Sequence, residues 1–305
     1  MATDYVLFVH GVKNRSQEAF IQTSRGLLEG IRQSLNDNSR TLKPIYFYWG
    51  DLNIAPQQRL LRGLEASPQW KNLLFKNFRT QEFLEFVGDA ALYLSRHVGS
   101  QVVYRFKETA LAPLQNAEPG DRLHLVTHSM GTVILFDLLF AGRWEDPRLD
   151  QDSSSQNVRQ IIDQIRDVLF GTGRHPGMGL PIASIHTMGS PIALFTLLSV
   201  TGESSHDLTG NLRDLLQNLY RQRGLRSLPW RNFIHPGDPI AYPLQGLMPD
   251  LLGNAQLYVR MLDVMTENRN PPLSLGLVPL LWGGDAHGSY WKSRLVAKTI
   301  GEAMR

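Results

Sequence analysis

Ser129, Asp238 and His287 are the side chains whose types and order along the chain could carry acyl-transfer chemistry. Ser129 stands in Thr127-His128-Ser129-Met130-Gly131, after the apolar run Leu123-His124-Leu125-Val126 and before Thr132-Val133-Ile134-Leu135-Phe136-Asp137-Leu138-Leu139. A strand, then small-x-Ser-x-Gly, then a helix is the pattern of a nucleophile elbow, a turn so tight that small residues must flank the serine at two positions' distance. Thr127 replaces the usual first glycine. A serine hydroxyl attacks a carbonyl at neutral pH only if a neighbouring imidazole takes its proton. His287, in Gly283-Gly284-Asp285-Ala286-His287-Gly288, is the expected base, and Asp238, in His235-Pro236-Gly237-Asp238-Pro239, the expected acid that orients it.

The tetrahedral oxyanion of such a reaction needs preorganised donors. The Met130 N–H, at the head of the helix, is one candidate, and the N–H of Gly11 or Val12, just after the first strand, is the other. Each residue also has a plainer reading. Gly-Asp-Pro at Asp238 suits a simple turn, and His287 among glycines suits an ordinary loop; Asp263 is the alternative acid. His10 is expected to shape the Gly11 loop by hydrogen bonding, and His128 to point away from the serine. His186 and His235 read as satisfied core residues. Asp285 lies too close to His287 to orient it, which leaves open a metal pair, but no metal site or cofactor is expected.

These residues require strands that end on one edge. Tyr5–Val9 is a continuous apolar run, as a parallel strand covered on both faces requires. The spacing predicts a helix over Phe20–Leu35, a strand over Pro44–Trp49, helices over Gln81–His97, Val102–Leu114 and 158–169, and strands at Pro181–Thr187, Asn232–His235 and Gln256–Leu262. A helix at Ser289–Ile300 closes the chain, and Trp144–Ser155 and Gly171–Gly179 read as loops. Strands alternating with helices predict one α/β domain over 1–305, a mostly parallel, doubly wound sheet with helices on both faces. About seventy residues separate the second strand from the elbow strand, more than a single crossover needs, so 51–99 is expected to be a helical insertion. Its Leu60, Leu61, Leu64, Trp70, Leu73, Leu74, Phe75 and Phe78, interleaved with Arg and Lys, suit either a lid over the serine or a fixed cap.

Composition excludes several classes. The chain of 305 residues is 42% hydrophobic and 19% charged, which describes a folded domain with a sizeable core. It holds no cysteine, so disulfides, thiolate metal sites and a cysteine nucleophile are ruled out. The net charge of +3 comes from scattered arginines, with no compact basic run of the kind that binds nucleic acid. No secretory signal and no membrane-length apolar stretch are read; a cytoplasmic protein, at most peripherally attached to a membrane, is expected. Leu273–Trp282, ahead of His287, is expected to add apolar wall to the pocket.

The order Ser, Asp, His and the elbow make the chain resemble an α/β-hydrolase of the lipase and esterase group. Three further blocks resemble the DDHD-domain lipases: Met188-Gly189-Ser190-Pro191-Ile192, Phe233-Ile234-His235-Pro236-Gly237-Asp238-Pro239-Ile240-Ala241-Tyr242, and His287-Gly288-Ser289-Tyr290-Trp291. That family also begins its elbow with a small hydroxyl residue, as Thr127 does. The resemblance implies Ser129 as nucleophile, Asp238 as acid and His287 as base in an intracellular phospholipase-like enzyme. The chain departs from the family pattern after the Tyr-Trp pair, where Lys292-Ser293-Arg294 replaces a further acid. The expected activity is hydrolysis of an apolar acyl or lipid ester through an acyl-enzyme. An acyltransferase or thioesterase would use the same three residues, and a non-catalytic binding module would keep the fold without converging them.

Overall fold

The computed structural model describes residues 1–37, 39–76, 80, 88–89, 93, 96–146, 153–170, 180–195, 209–266 and 286–305. Six strands form one sheet: β1 Thr3–Val9, β2 Thr41–Phe47, β3 Arg122–His128, β4 Ile182–Met188, β5 Leu228–Ile234 and β6 Val259–Met265, in the order β2-β1-β3-β4-β5-β6. Every pairing is parallel. Strands β1 and β4 are buried at every residue; Tyr5–Val9 of β1 accordingly reads as an unbroken apolar run, whereas β4 buries Ser184, His186 and Thr187 among its apolar residues. β2 is an edge strand, and there Pro44, opposite Val6, costs no ladder hydrogen bond.

Helices cover both faces. Over one lie α1, Gln17–Leu35, and α7, Arg294–Met304, whose Phe20, Leu27, Ile31, Val296 and Ile300 pack on Val6, Phe8, Val126 and Phe233. α1 begins at Ser16, whose hydroxyl accepts from the Ala19 N–H, and ends at Asn36 in the left-handed conformation. The other face is built on α4, Met130–Phe140, which packs on α5, Ser153–Phe170; α3, Arg96–Phe106, packs on α5 in the same core. All eleven residues of α4 are buried. A helix apolar all round belongs in the middle of a core, and this one holds its N-terminus fixed at the sheet edge. α6, Thr209–Gln222, joins this face; it is absent from the expectations above, although Leu212, Leu215, Leu216 and Leu219 repeat at helical spacing and are buried.

Other boundaries differ for identifiable reasons. β2 starts at Thr41 and stops at Phe47, because the Trp49 N–H leaves the ladder and donates to His10 Nε2 at 3.0 Å. β6 runs Val259–Met265 and not from Gln256, since Gly253–Tyr258 winds as a 3-10 helix. The closing helix is broken in two: Ser289–Lys292 is a 3-10 turn, and Ser293 then caps α7 through the Val296 N–H. In the 51–99 insertion, α2 spans Ile54–Glu65 and a 3-10 turn Pro68–Asn72. The helix expected over Gln81–His97 falls almost wholly outside the described residues. So do the loop 171–179, the apolar stretch 273–282 and Asp285.

At the N-terminal edge of the sheet, Asp4 is fully buried and accepts from Arg40 Nε at 2.8 Å and from Arg122 Nε and Nη2 at 2.8 and 2.7 Å. This cluster ties the starts of β1, β2 and β3 together. The C-terminal edge is built differently.

Candidate active site

The backbone of Ser129 has φ 54° and ψ −133°. A residue with a Cβ held there is strained by about 1–3 kcal/mol, so the surroundings must enforce it. They do so with the Ser129 N–H donating to Met188 O at 2.9 Å and its carbonyl accepting from the Thr132 N–H at 3.0 Å. The Thr127 hydroxyl bonds that of Thr132 at 2.8 Å, so threonine serves at the position where glycine is common. Close packing does the rest. A Cβ on Gly131 would stand 2.3 Å from His10 O, and one on Gly11 would stand 2.4 Å from Ser129 Cβ and 2.9 Å from its Oγ. The Gly11 backbone thus runs directly against the serine. Met130 opens α4, where the first N–H groups have no carbonyl within the helix to bond. Gly11 and Met130 are therefore neighbours of Ser129, and Val12 follows Gly11 in the same loop.

Asp238 and His287 meet at the same edge, 49 residues apart in the chain. His287 Nδ1 lies 2.9 Å from Asp238 Oδ2, an ion-pair geometry in which the ring nitrogen donates. Asp238 Oδ2 also accepts from the Tyr290 hydroxyl at 2.7 Å, and Oδ1 from the Ile240 N–H at 3.2 Å. Burial pushes the Asp238 carboxyl up, but the His287 hydrogen bond and charge, with the Tyr290 and Ile240 donors, outweigh it and hold the group below the ordinary carboxylate range. Tyr290 in turn accepts from the His235 N–H at 2.9 Å, and burial beside Asp238 drives its own ionisation far up. Both Ser129 Oγ and His287 Nε2 are buried with no hydrogen-bond partner among the described residues. Two such groups, one a proton donor and one an acceptor, are left open where buried polar atoms are ordinarily satisfied.

Gly189 explains how the pair is fitted in. It sits after β4 at φ 54°, and a Cβ there would lie 2.7 Å from Asp238 Oδ2, 2.7 Å from Tyr290 Cε2 and 3.1 Å from His287 Nδ1. Only glycine combines that backbone with that clearance.

The histidines depart from expectation most clearly at His128. His128 does not point away: its ring packs on that of His287 at 4.5 Å between centroids, and its Nε2 donates to His287 O at 2.7 Å. The strand places it on the face beneath the loop of residues 286–288, so the turn that lifts Ser129 carries His128 under the His287 ring. Burial, then the neighbouring imidazole, lowers its pKa to about 3, so it stays neutral. His10 is a structural hydrogen-bond partner. Its Nδ1 donates to Gly11 O at 2.6 Å, its Nε2 accepts from Trp49 N–H, and its ring stacks on Trp49. Burial lowers its pKa to about 3 as well. His186 is buried with Nε2 against Ser184 Oγ but with Nδ1 unpartnered among the described residues, and His235, half buried, accepts from the Gly237 N–H; against expectation, the first is not fully satisfied and the second is not a core residue. Asp263 accepts from Asn232 and from the N–H groups of Leu244 and Gln245; it is Asp238 that stands at His287. Among the described residues no group of three His, Asp or Glu could hold a metal ion. Tyr290 and Gly189 belong to this site as well, and both lie inside motifs legible in the sequence.

The strand order and the elbow after β3 give the molecule an α/β-hydrolase-type fold. The chain is similar to phospholipase DDHD1 of Bos taurus, 25% identical over 163 aligned positions that cover 43% of this chain and 17% of that protein. The similarity to phospholipase DDHD1 of Homo sapiens is likewise 25%, over 43% of this chain and 16% of the relative. The chain thus matches less than a fifth of the length of those two relatives. Among solved structures, an acetylxylan esterase is similar at 10% identity and a TM-score of 0.30, over 99% of this chain and 100% of the other. No protein-family model matches the chain.

Proposed function

We propose that this protein is a serine carboxylester hydrolase that cleaves an apolar acyl or lipid ester through an acyl-enzyme on Ser129. One observation carries the reading: a strained serine whose hydroxyl has no partner among the described residues shares its edge of the sheet with an imidazole whose far nitrogen is already held by a buried carboxylate. With Nδ1–H donated to Asp238, the lone pair of His287 is on Nε2, the correct tautomer for a base. As Ser129 Oγ bonds to the ester carbonyl carbon, its proton passes to Nε2. The negative charge that collects on the carbonyl oxygen is met by the Met130 N–H and by the Gly11–Val12 backbone. Collapse breaks the bond to the alkoxy oxygen, which leaves with the proton from Nε2. Water then repeats the sequence and frees the acid.

The apolar character of the substrate is supported by the insertion. No residue of α2 is buried, Leu60 is half exposed, and Leu74 and Phe75 are 72% and 77% exposed. Between Ile54 and Thr80 the chain carries five Lys and Arg against one Glu. An exposed apolar tip among basic residues suits contact with an anionic lipid surface. Among the described residues no helix is long and apolar enough to cross a membrane. The relatives named phospholipases point the same way.

The test is hydrolysis of p-nitrophenyl esters of increasing chain length by the wild type and Ser129→Ala. Activity that rises from acetyl toward medium or long chains and vanishes in the variant is expected. A sharp optimum at acetyl would remove the lipid part of the reading, and activity surviving in Ser129→Ala would remove the serine.

A further inference from the structure

The loop that runs against Ser129 is held from a distance by one buried carboxylate. Asp89, in the insertion and fully buried, receives five hydrogen bonds. Its Oδ1 accepts from Arg15 Nη2 at 2.9 Å, Asn53 Nδ2 at 2.9 Å and Gln57 Nε2 at 2.7 Å. Its Oδ2 accepts from Arg15 Nη1 at 3.1 Å and, from the main chain, the Lys13 N–H at 3.0 Å. Lys13 has φ 63°. That left-handed backbone is disfavoured for a residue with a side chain, and it comes one residue after Gly11-Val12. The same loop is packed so closely on the next element that a Cβ on Gly50 would fall 1.7 Å from Asn14 O.

A carboxylate is the group this place needs. It offers two acceptor oxygens and about four lone-pair directions, all of which point at donors here, whereas an amide would present two N–H groups to the same ring of donors. The arginine alone does not fix the loop, because its bonds restrain a side chain. The bond to the Lys13 N–H restrains the backbone itself.

Resting on the catalytic reading above, we propose that Asp89 is a positioning residue. By holding Lys13 in its left-handed turn it keeps the Gly11–Val12 backbone at the distance from Ser129 that the oxyanion requires. It touches no substrate, and it also ties that loop to α2 through Gln57 and to the 3-10 turn Gly50–Asn53 through Asn53. The insertion and the reacting edge are thereby one mechanical unit.

Misaligning one oxyanion donor lowers the rate by less than its full removal, which costs about 100-fold to 1,000-fold. Asp89→Asn is therefore expected to lower kcat by about 10-fold to 100-fold while KM changes less than about threefold. The affinity of a trifluoromethyl ketone analogue of the tetrahedral state should fall by the same factor as kcat/KM. Adding Lys13→Gly, which tolerates the turn without a tether, should recover part of the loss. A folded Asp89→Asn with unchanged kcat, a loss confined to KM, or no recovery in the double variant would overturn the proposal. Should Asp89→Asn fail to fold, amide hydrogen exchange of the wild type decides: the Lys13 N–H should exchange as slowly as the core of β1, and fast exchange would refute the tether. Fluorophosphonate labelling of wild-type Ser129 separates the two claims. Labelled protein with an indifferent Asp89 refutes only the positioning role, whereas wild-type protein that neither labels nor turns over removes both.

Discussion

Asp4 and Asp238 are buried carboxylates at opposite edges of the same sheet, and their partners differ in kind. Asp4 faces two guanidinium groups, Arg40 and Arg122, with His124 Nε2 at 3.7 Å. Burial raises its pKa, but those donors outweigh burial and hold it far below the usual range. Among the described residues Asp238 faces a tyrosine hydroxyl, a backbone N–H and an imidazole. The first carboxylate is neutralised on the spot and so closes the ends of three strands. Among the described residues no Lys or Arg pairs with the second, and on the proposed reading its charge serves the His287 imidazolium when one forms. On the proposed reading, the N-terminal edge uses its acid for stability and the C-terminal edge for chemistry.

Substitution should separate the two. Asp238→Asn should lower kcat by about 10,000-fold with little change in melting temperature, because the amide can hold the imidazole in the wrong tautomer. Asp4→Asn should do the reverse: a stability loss of about 3 kcal/mol, the low end of the cost of orphaning a buried ion pair because both arginines keep contact with water, and near-normal kcat in the folded fraction. Urea titration alongside steady-state kinetics checks both. If Asp4→Asn cut the rate as deeply as Asp238→Asn, the division of labour would be wrong.

Acid should act on stability before it discharges either carboxylate. His10 and His128 are buried with pKa values of about 3, below the ordinary histidine value of about 6.5 that the unfolded chain retains. A histidine whose folded pKa is lowered stabilises the fold fully above the unfolded pKa and progressively less as pH falls below it. Each should therefore cost about 1 kcal/mol between pH 7 and pH 5.5, about 2 kcal/mol together, with His124 and His186, also lowered by burial, adding to it. Urea midpoints that stay constant over that window would contradict the burial of these rings. The smallest effect expected is that of Tyr290→Phe. Loss of one neutral donor to Asp238 should lower kcat about 10-fold, in keeping with roughly 1.5 kcal/mol for a hydrogen bond to a charged group.

What the sequence disclosed follows from where its signals are local. Elbow, strand run and buried helix lie within twenty residues and each has its own periodicity, so Ser129, Met130 and the position of β3 were legible. Asp238 is legible as a residue after a strand and His287 as a residue of the loop before the last helix, but only the folded chain shows that Asp238 and not Asp263 meets the ring. His128 was misjudged because alternation along a strand tells which face a side chain takes, but not that a loop from the end of the chain lies over that face. Asp89 carried no signal at all: its five donors come from Lys13, Arg15, Asn53 and Gln57, and nothing in their spacing announces a common acceptor. α6 had the signal, four leucines at helical intervals, amid a polar segment that masked it.

The central claim is that Ser129 is the activated nucleophile of this edge. Mass measurement after treatment with a fluorophosphonate, followed by peptide mapping, addresses it most directly. A single adduct on Ser129, absent from Ser129→Ala and formed far more slowly in His287→Asn, is the expected result. No adduct on the intact protein, or one mapped to a different residue, would contradict it.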